Sequence, residues 1–346
     1  MTINIMKGDL LKESVDAIVN TVNCVGVMGK GIALQFKKKW PENYKVYSHA
    51  CKEEKVKTGK MFIYDAGGLV QPHYIINFPT KQHWREKTKM SYIDEGLKDL
   101  IKQVQSLKIK SIAIPPLGCG NGGLDWADVK PRIEKAFSDL PDVDVRLFEP
   151  SGGPDPASME TNTKKPKMTP GRAAIVKVLS IYRQMEFSLS KLEVQKLAYF
   201  LEFAGRDLKL NFTKDKFGPY SDVLRHVLTT MDGHYIEGVG DNVVESEIQP
   251  TKSALSEAEN FIRESGDEDL QNHVERVAAL IEGFETPYGM ELLSSVHWVF
   301  MNESGVNDVD DAIRAIQSWN NRKKEIFQEP HIRLAWNRLK EQGWLA

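Results

Sequence analysis

Residues 151 to 171, SGGPDPASMETNTKKPKMTPG, hold four prolines and three glycines and show no apolar periodicity. Proline removes a backbone donor and glycine resists ordering, so this stretch reads as a linker. A chain of 346 residues interrupted so near its middle cannot fold round a single core, and at roughly one to two hundred residues per domain its length also asks for two. The expected division is a first domain over 1–152, a linker over 153–171 and a second domain over 172–346. Hydrophobic residues at 41% and charged residues at 27% are ordinary globular values, which exclude a disordered chain and a fibrous repeat. Apolar runs long enough to span a bilayer are missing, and the N-terminus MTINIMKGDLLKES carries charge where a signal peptide needs an apolar stretch. The expectation is a soluble, cytoplasmic protein with no membrane partner.

The net charge of −2 hides a partition. Residues 1 to 150 carry 23 Lys and Arg against 18 Asp and Glu, a balance of +5; the remainder carries 23 against 30, a balance of −7. The basic half suits an anionic ligand and the acidic half does not, which points to different partners. The three cysteines, Cys24, Cys51 and Cys119, lie in the first half without CxxC spacing. They fit a reducing compartment and argue against disulfides or a zinc knuckle. The histidines are scattered, so neither a metal nor a cofactor is expected.

The first half alternates two kinds of segment. Strand-like runs bounded by turn residues occur at 15–20, 61–67, 73–80, 111–118 and 143–150. Between them, Ile93, Leu97, Leu100, Ile101 and Val104 follow helical spacing, as do Val129, Ile133 and Phe137. Such alternation predicts an α/β domain with a mixed or largely parallel central sheet flanked by helices, and places ligands at the carboxyl ends of its strands. Beyond the linker the pattern is helical: Ile175, Val178, Leu179 and Tyr182 share a face, as do Val194, Leu197, Ala198 and Leu201, and Val274, Ala278, Ile281 and Phe284. The second domain is therefore expected to be mainly α.

Two glycine-rich loops carry the chemistry of the first half. One follows the strand VDAIVN as Thr21-Val22-Asn23-Cys24-Val25-Gly26-Val27-Met28-Gly29-Lys30-Gly31 and enters a helix over 32–40. It has neither the spacing nor the Ser/Thr of a Walker loop and is not G-x-G-x-x-G. Its glycines and the helix N-terminus suit a phosphate, while a plain strand-to-helix turn remains the alternative. The other, Pro116-Leu117-Gly118-Cys119-Gly120-Asn121-Gly122-Gly123-Leu124, places four glycines in six residues after the strand SIAIPP. A structural turn needs one or two, so this loop points to close approach of a ligand, with a diphosphate clasped between the two loops.

The run IMKGDLLKESVDAIVNTVNCVGVMGKGIA, followed by IPPLGCGNGGLDW, resembles a macrodomain, the ADP-ribose-binding fold, over nearly all of residues 1 to 150. The resemblance implies that Asp9 accepts from the adenine amino group beside Leu10, and that Asn20 and Asn23 lie near the distal ribose. It has Gly26, Met28, Gly29 and Gly31 wrap the diphosphate and ribose, with Leu117, Gly118, Cys119, Gly120, Asn121, Gly122, Gly123 and Leu124 on the other side. The run Asn77-Phe78-Pro79-Thr80-Lys81-Gln82-His83-Trp84-Arg85 resembles the DNA ADP-ribosyl glycohydrolase antitoxins of the DarT/DarG type. That resemblance makes Lys81 the catalytic lysine, with Thr80 beside the ligand. Relatives acting on glutamate-linked ADP-ribose pair this lysine with an aspartate in the second loop, where this chain has Gly122.

Cleavage at an anomeric carbon passes through an oxocarbenium-like state that two carboxylates normally handle. Neither loop contains one; Asp125 and Asp128 follow the second. The Lys81 amine suits attack on the ribose carbon, once burial or a nearby cation neutralises it, or service as an acid for the departing base. His83, Trp84, Arg85 and Lys87 suit a basic, aromatic strip for single-stranded DNA, while Trp84 as a lid over the core remains the alternative. Three functions stay open: release of ADP-ribose from a modified thymine in single-stranded DNA, non-catalytic ADP-ribose reading, and an ADP-ribose phosphatase or protein-directed glycohydrolase.

In the second half, LEVQKLAYF at 192–200 and KFGPYSDVL at 216–224 resemble a helical antitoxin module of the Panacea type. The resemblance implies a protein partner, the cognate DNA ADP-ribosyltransferase toxin. The acidic runs Asp267-Glu268-Asp269, Asp308-Asp310-Asp311 and Asp241, Glu245, Glu247 are candidates for a surface that mimics DNA in the toxin's groove.

Overall fold

The computed structural model describes residues 2–68, 70–150, 159–183, 189–239 and 247–345. These divide into two compact units, the first ending at Lys164 and the second beginning at Lys165. The linker tract at 151–158, and with it part of the expected 153–171 boundary, lies outside the described residues. Helix begins at Pro170, inside the expected linker, with proline at a position where its missing N–H costs nothing.

The first unit is a six-stranded sheet with helices. Strands β1 (Thr2–Met6), β2 (Ala17–Asn23), β3 (Phe62–Asp65), β4 (Tyr74–Lys81), β5 (Ser111–Ile114) and β6 (Asp144–Phe148) stand in the order β1-β6-β5-β2-β4-β3. All neighbours are parallel except β3 against β4, so the sheet is mixed, as expected. Helices α1 (Gly31–Lys39), α2 (Pro41–Lys52), α3 (Met90–Ser106) and α4 (Trp126–Phe137) connect them. Central β2 is buried on both faces: Val19 joins Ile76, Phe78 and Ile114 beneath α3 and α4, and Ile18 joins Phe36, Ile75 and Phe148 on the side of α1. Burying each such side chain stabilises by about 1.5–3 kcal/mol, which holds the strand ends in register for the loops that leave them.

Strand lengths differ from expectation in ways that matter to those loops. β5 stops at Ile114 because Pro115 and Pro116 cannot donate to the ladder. β2 runs on to Asn23 and β4 to Lys81, so both residues are held by sheet pairing.

The second unit is mainly helical. It comprises α5 (Pro170–Arg183), α6 (Lys191–Phe203), α7 (Asp222–Met231), α8 (Ala254–Ser265), α9 (Glu268–Ile281), α10 (Pro287–Asn302), α11 (Val309–Trp319), α12 (Asn321–Ile326) and α13 (Glu329–Glu341). Two small antiparallel ladders join them: β7 (Thr213–Asp215) with β8 (Gly218–Tyr220), and β9 (Ile236–Glu237) with β10 (Gln249–Pro250). Helix α10 is buried from Gly289 to Val299 and serves as the hub of this core. Among the described residues, no helix is long and apolar enough to cross a membrane.

Candidate functional site

The two glycine-rich loops and the end of β4 meet. The β2–β4 ladder pairs Asn20 with Asn77 and Thr21 with Phe78, then slips at a bulge so that Asn23 faces Lys81. Directly beyond, Cys24 donates its backbone N–H to Gln82 O at 3.1 Å. The first loop is therefore fixed to the strand that delivers the lysine.

Asn23 gives that loop its shape. Its side-chain oxygen accepts from the N–H of Val25 (3.0 Å) and Val27 (3.3 Å), and its amide donates to Val27 O (2.6 Å). The Tyr47 hydroxyl, buried under α2, donates to Asn23 O at 2.5 Å. Gly26 adopts a φ of +78°, and a β-carbon there would sit 3.2 Å from Ser48 Oγ and 3.3 Å from Cys51 Cβ, so the loop turns only with glycine. The N-cap of α1, Lys30, makes no side-chain cap, which leaves the first amides of that helix for an anion.

The second loop closes over itself through Leu124 N–H on Gly118 O and Gly123 N–H on Gly120 O, both at 3.1 Å. It is tied to the segment before α3 by Thr88 N–H on Gly122 O at 3.0 Å. The loops approach each other at Gly31, where a β-carbon would lie 3.3 Å from Asn121 Nδ2. Into this junction Lys81 directs its ammonium, donating to Asn121 O. The side chain is 9% exposed, and burial lowers its pKa from the ordinary lysine value.

The carboxylate absent at Gly122 is excluded by the loop itself. A β-carbon there would lie 2.1 Å from Gly118 O and 2.5 Å from Thr88 Oγ1, with backbone on one side. Nor do the neighbouring acids replace it: Asp125 caps α4 by accepting from Ala127 N–H at 2.9 Å, and Asp128 lies in the first turn of that helix. The loop thiols are poor nucleophiles, since burial pushes Cys24 and Cys119 up to about 11.

Other expected residues fall into three groups. Gly29, Gly120, Gly123 and Leu124 lie on the loops, and Gly120 faces open space. Leu10, Asn20, Met28, Thr80 and Leu117 are buried, at 4%, 0%, 1%, 4% and 0% exposure. Asn20 was expected beside the ribose; instead its amide donates to Asn77 Oδ1 at 2.9 Å beneath the first loop, and its oxygen has no partner. The Thr80 hydroxyl is spent on Val22 O at 3.4 Å. Asp9 accepts from Leu11 N–H at 3.0 Å, capping the short 3-10 turn Leu10–Lys12, with Lys12 at 3.9 Å.

Past Lys81 the strip is solvent-facing. Trp84 is 48% exposed, its ring 5.3 Å from that of His83 and 4.6 Å from the Arg85 guanidinium. Lys87 is exposed, and its Cδ would lie 3.9 Å from a β-carbon on Gly123. Sequence reasoning missed Asn77, which shares a buried amide network with Asn43 (2.8 Å); one amide in an otherwise apolar strand was the available signal. It also missed Tyr47 and Thr88, neither of which stands in a recognisable pattern.

In the second unit the two motifs bind each other. Gln195 Nε2 donates to Ser221 O at 3.0 Å, Ser221 N–H returns to Gln195 Oε1 at 2.9 Å, and Lys196 Nζ donates to Pro219 O at 2.7 Å. Ser221 also caps α7 through Leu224 N–H. Four of the nine acidic candidates have work inside the unit. Asp267 pairs with Arg206 at 2.7 Å, Asp308 caps α11, Asp310 pairs with Arg333 at 2.5 Å, and Asp311 pairs with Arg314. These groups are thus partly neutralised, which weakens the expected DNA mimicry there. Asp241 and Glu245 lie outside the described residues, and Glu247 is exposed.

A family model described as Macro domain matches residues 19–133. A DNA ADP-ribosyl glycohydrolase of Thermus aquaticus is 47% identical over 340 residues, covering 98% of this chain and 93% of the relative. A DNA ADP-ribosyl transferase-DNA ADP-ribosyl glycohydrolase fusion protein of Thermosipho africanus is 32% identical over 163 residues, 43% of this chain and 42% of the fusion. The solved macrodomain of Mycobacterium tuberculosis DarG is 57% identical, covering 43% of this chain and 99% of that one, with a TM-score of 0.43. The nearly full-length similarity to the Thermus relative, over a first unit built as a macrodomain, shows that the chain belongs to the family of the DNA ADP-ribosyl glycohydrolases.

Proposed function

We propose that this chain binds ADP-ribose between its two glycine loops and hydrolyses the bond joining it to a thymine base of single-stranded DNA. The observation that carries the reading is the buried Lys81 ammonium reaching Asn121 O where Gly31 meets the second loop. Loop amides and the α1 N-terminus hold the diphosphate. Lys81 then either attacks the ribose carbon as the neutral amine or donates a proton to the departing thymine, and water completes the cleavage. The loop has no room for a second catalytic carboxylate at Gly122, which weakens the reading in which ADP-ribose is released from glutamate.

The strip His83, Trp84, Arg85 and Lys87 holds the rest of the strand by stacking and phosphate contact. The second unit binds the cognate DNA ADP-ribosyltransferase toxin; the transferase joined to a glycohydrolase in the Thermosipho fusion supports that partner. Incubation of the purified chain with ADP-ribosylated oligonucleotide and with ADP-ribosylated protein tests the substrate. We expect release from DNA only, and a fall of about 10²–10⁴-fold in the Lys81→Ala variant with ADP-ribose binding retained. Unchanged DNA product in that variant overturns the role of Lys81. A mass shift on Lys81 during turnover selects attack over proton donation.

A further inference from the structure

Met159 to Asn162, at the end of the first unit, run along the C-terminal end of α1. Asn162 donates its backbone N–H to Lys38 O at 2.9 Å and its side-chain amide to Lys39 O at 2.8 Å. The last carbonyls of a helix have no partner within it, so these are well-matched anchors. Glu160 meets the Lys39 ammonium at 3.1 Å, and that ammonium also donates to Leu11 O at 2.8 Å. Lys39 thereby ties the segment to the 3-10 turn that Asp9 caps.

Between turn, helix and segment lies a cavity bounded by Asp9, Lys12, Gln35 and Lys39 on one side and Met159 and Glu160 on the other. Its volume is about 10 Å³, room for about one water molecule and not for a purine. The closed arrangement carries a cost, because Thr161 Oγ1 is buried without a hydrogen-bond partner. One of its ties is also weak, since Glu160 is 55% exposed and its ion pair is screened by solvent.

We propose that Met159–Asn162 is a strap across the adenine end of the ADP-ribose site, which the purine must displace to reach Asp9. The proposal rests on the ADP-ribose reading, and within it on Asp9 as the carboxylate that meets the adenine amino group. A strap closed for most of the time lowers apparent affinity by the fraction of molecules that are open, so loosening it tightens binding. A ligand without a purine escapes the effect.

Calorimetric titration of the full chain with ADP-ribose and with ribose 5-phosphate tests this in wild type, Glu160→Ala and Asn162→Ala. Both variants are expected to bind ADP-ribose about three- to tenfold more tightly, with ribose 5-phosphate unchanged. ADP-ribose affinity equal to or weaker than that of a binding-competent wild type overturns the strap and leaves the reading of the loops standing. An equal gain for ribose 5-phosphate also overturns it, because that ligand has no purine to exclude. Failure of all three proteins to bind ADP-ribose overturns the reading itself.

Discussion

In the proposed mechanism Lys81 and Gly122 together define what the site can do. Lysine normally lives in water; here the end of β4 holds it 9% exposed against a backbone oxygen, and the resulting fall in its pKa enlarges the neutral fraction that a nucleophile requires. If the neutral amine is the working form, turnover rises with pH through a value below that of free lysine, and a pH–rate profile reads this directly; Lys81→Arg, which cannot deprotonate, loses that limb. Gly122→Asp is expected to fail as a route to a two-group centre: its β-carbon would meet Gly118 O at 2.1 Å, so the variant loses about 1–3 kcal/mol in a thermal melt and gains no activity on glutamate-linked substrate. At this scale the sequence was legible where a residue's chemistry was unusual for its place. A glycine-dense loop and a lysine after an apolar strand stood out, and the structure brings them together at Asn121. Asn20 did not, because an amide at a strand's buried end reads the same whether it faces ligand or, as here, Asn77.

Among elements, the alternating first half was readable because each strand is a short apolar run, whereas α2 (Pro41–Lys52) went unforeseen: its sequence PENYKVYSHACK has few apolar residues, and only Asn43, Tyr47, Ala50 and Cys51 are buried. Proline at its first position was the one signal. In the second unit the motif on α6 and the β8–α7 turn is a structural clasp, since Gln195 satisfies both backbone groups of Ser221. Gln195→Ala strands that buried N–H and C=O and is expected to cost about 1–3 kcal/mol in urea unfolding. Lys196 adds a pH dependence. Burial first, then the neighbouring Lys323, lower its pKa to about 7; burial lowers Lys323 to about 8 against the pull of Glu291, its partner at 2.7 Å. The unfolded chain, with ordinary lysines, binds more protons above these values, so stability rises with pH. The second unit's melting temperature should therefore increase by at least about 2 °C from pH 7 to pH 9, and Lys196→Met should flatten the rise.

At the level of the whole molecule, the chain forms two units with separate cores that divide between Lys164 and Lys165, inside the proline-rich tract 151–171 and not at the residue-150 cut that gave halves of +5 and −7. The basic half also carries a salt prediction: two phosphate contacts, at Arg85 and Lys87, make turnover of modified oligonucleotide fall about five- to tenfold between 50 and 200 mM salt, read as kcat/KM. The acidic half was harder to read, because a run such as Asp308-Asp310-Asp311 looks like surface charge until its cap and its ion pairs to Arg333 and Arg314 are seen. The strand order has a consequence for how the molecule is made. Among the described residues β1, whose exit leads to Asp9, pairs only with β6, which is inserted between β1 and β5. A chain emerging from the ribosome thus holds both glycine loops, with the end of its sheet unfinished, until Phe148 has appeared. In the proposed reading, completion of the ADP-ribose site waits on the last strand of its own unit, and a nascent fragment ending short of β6 carries the loops without the partner of the strand that leads to Asp9.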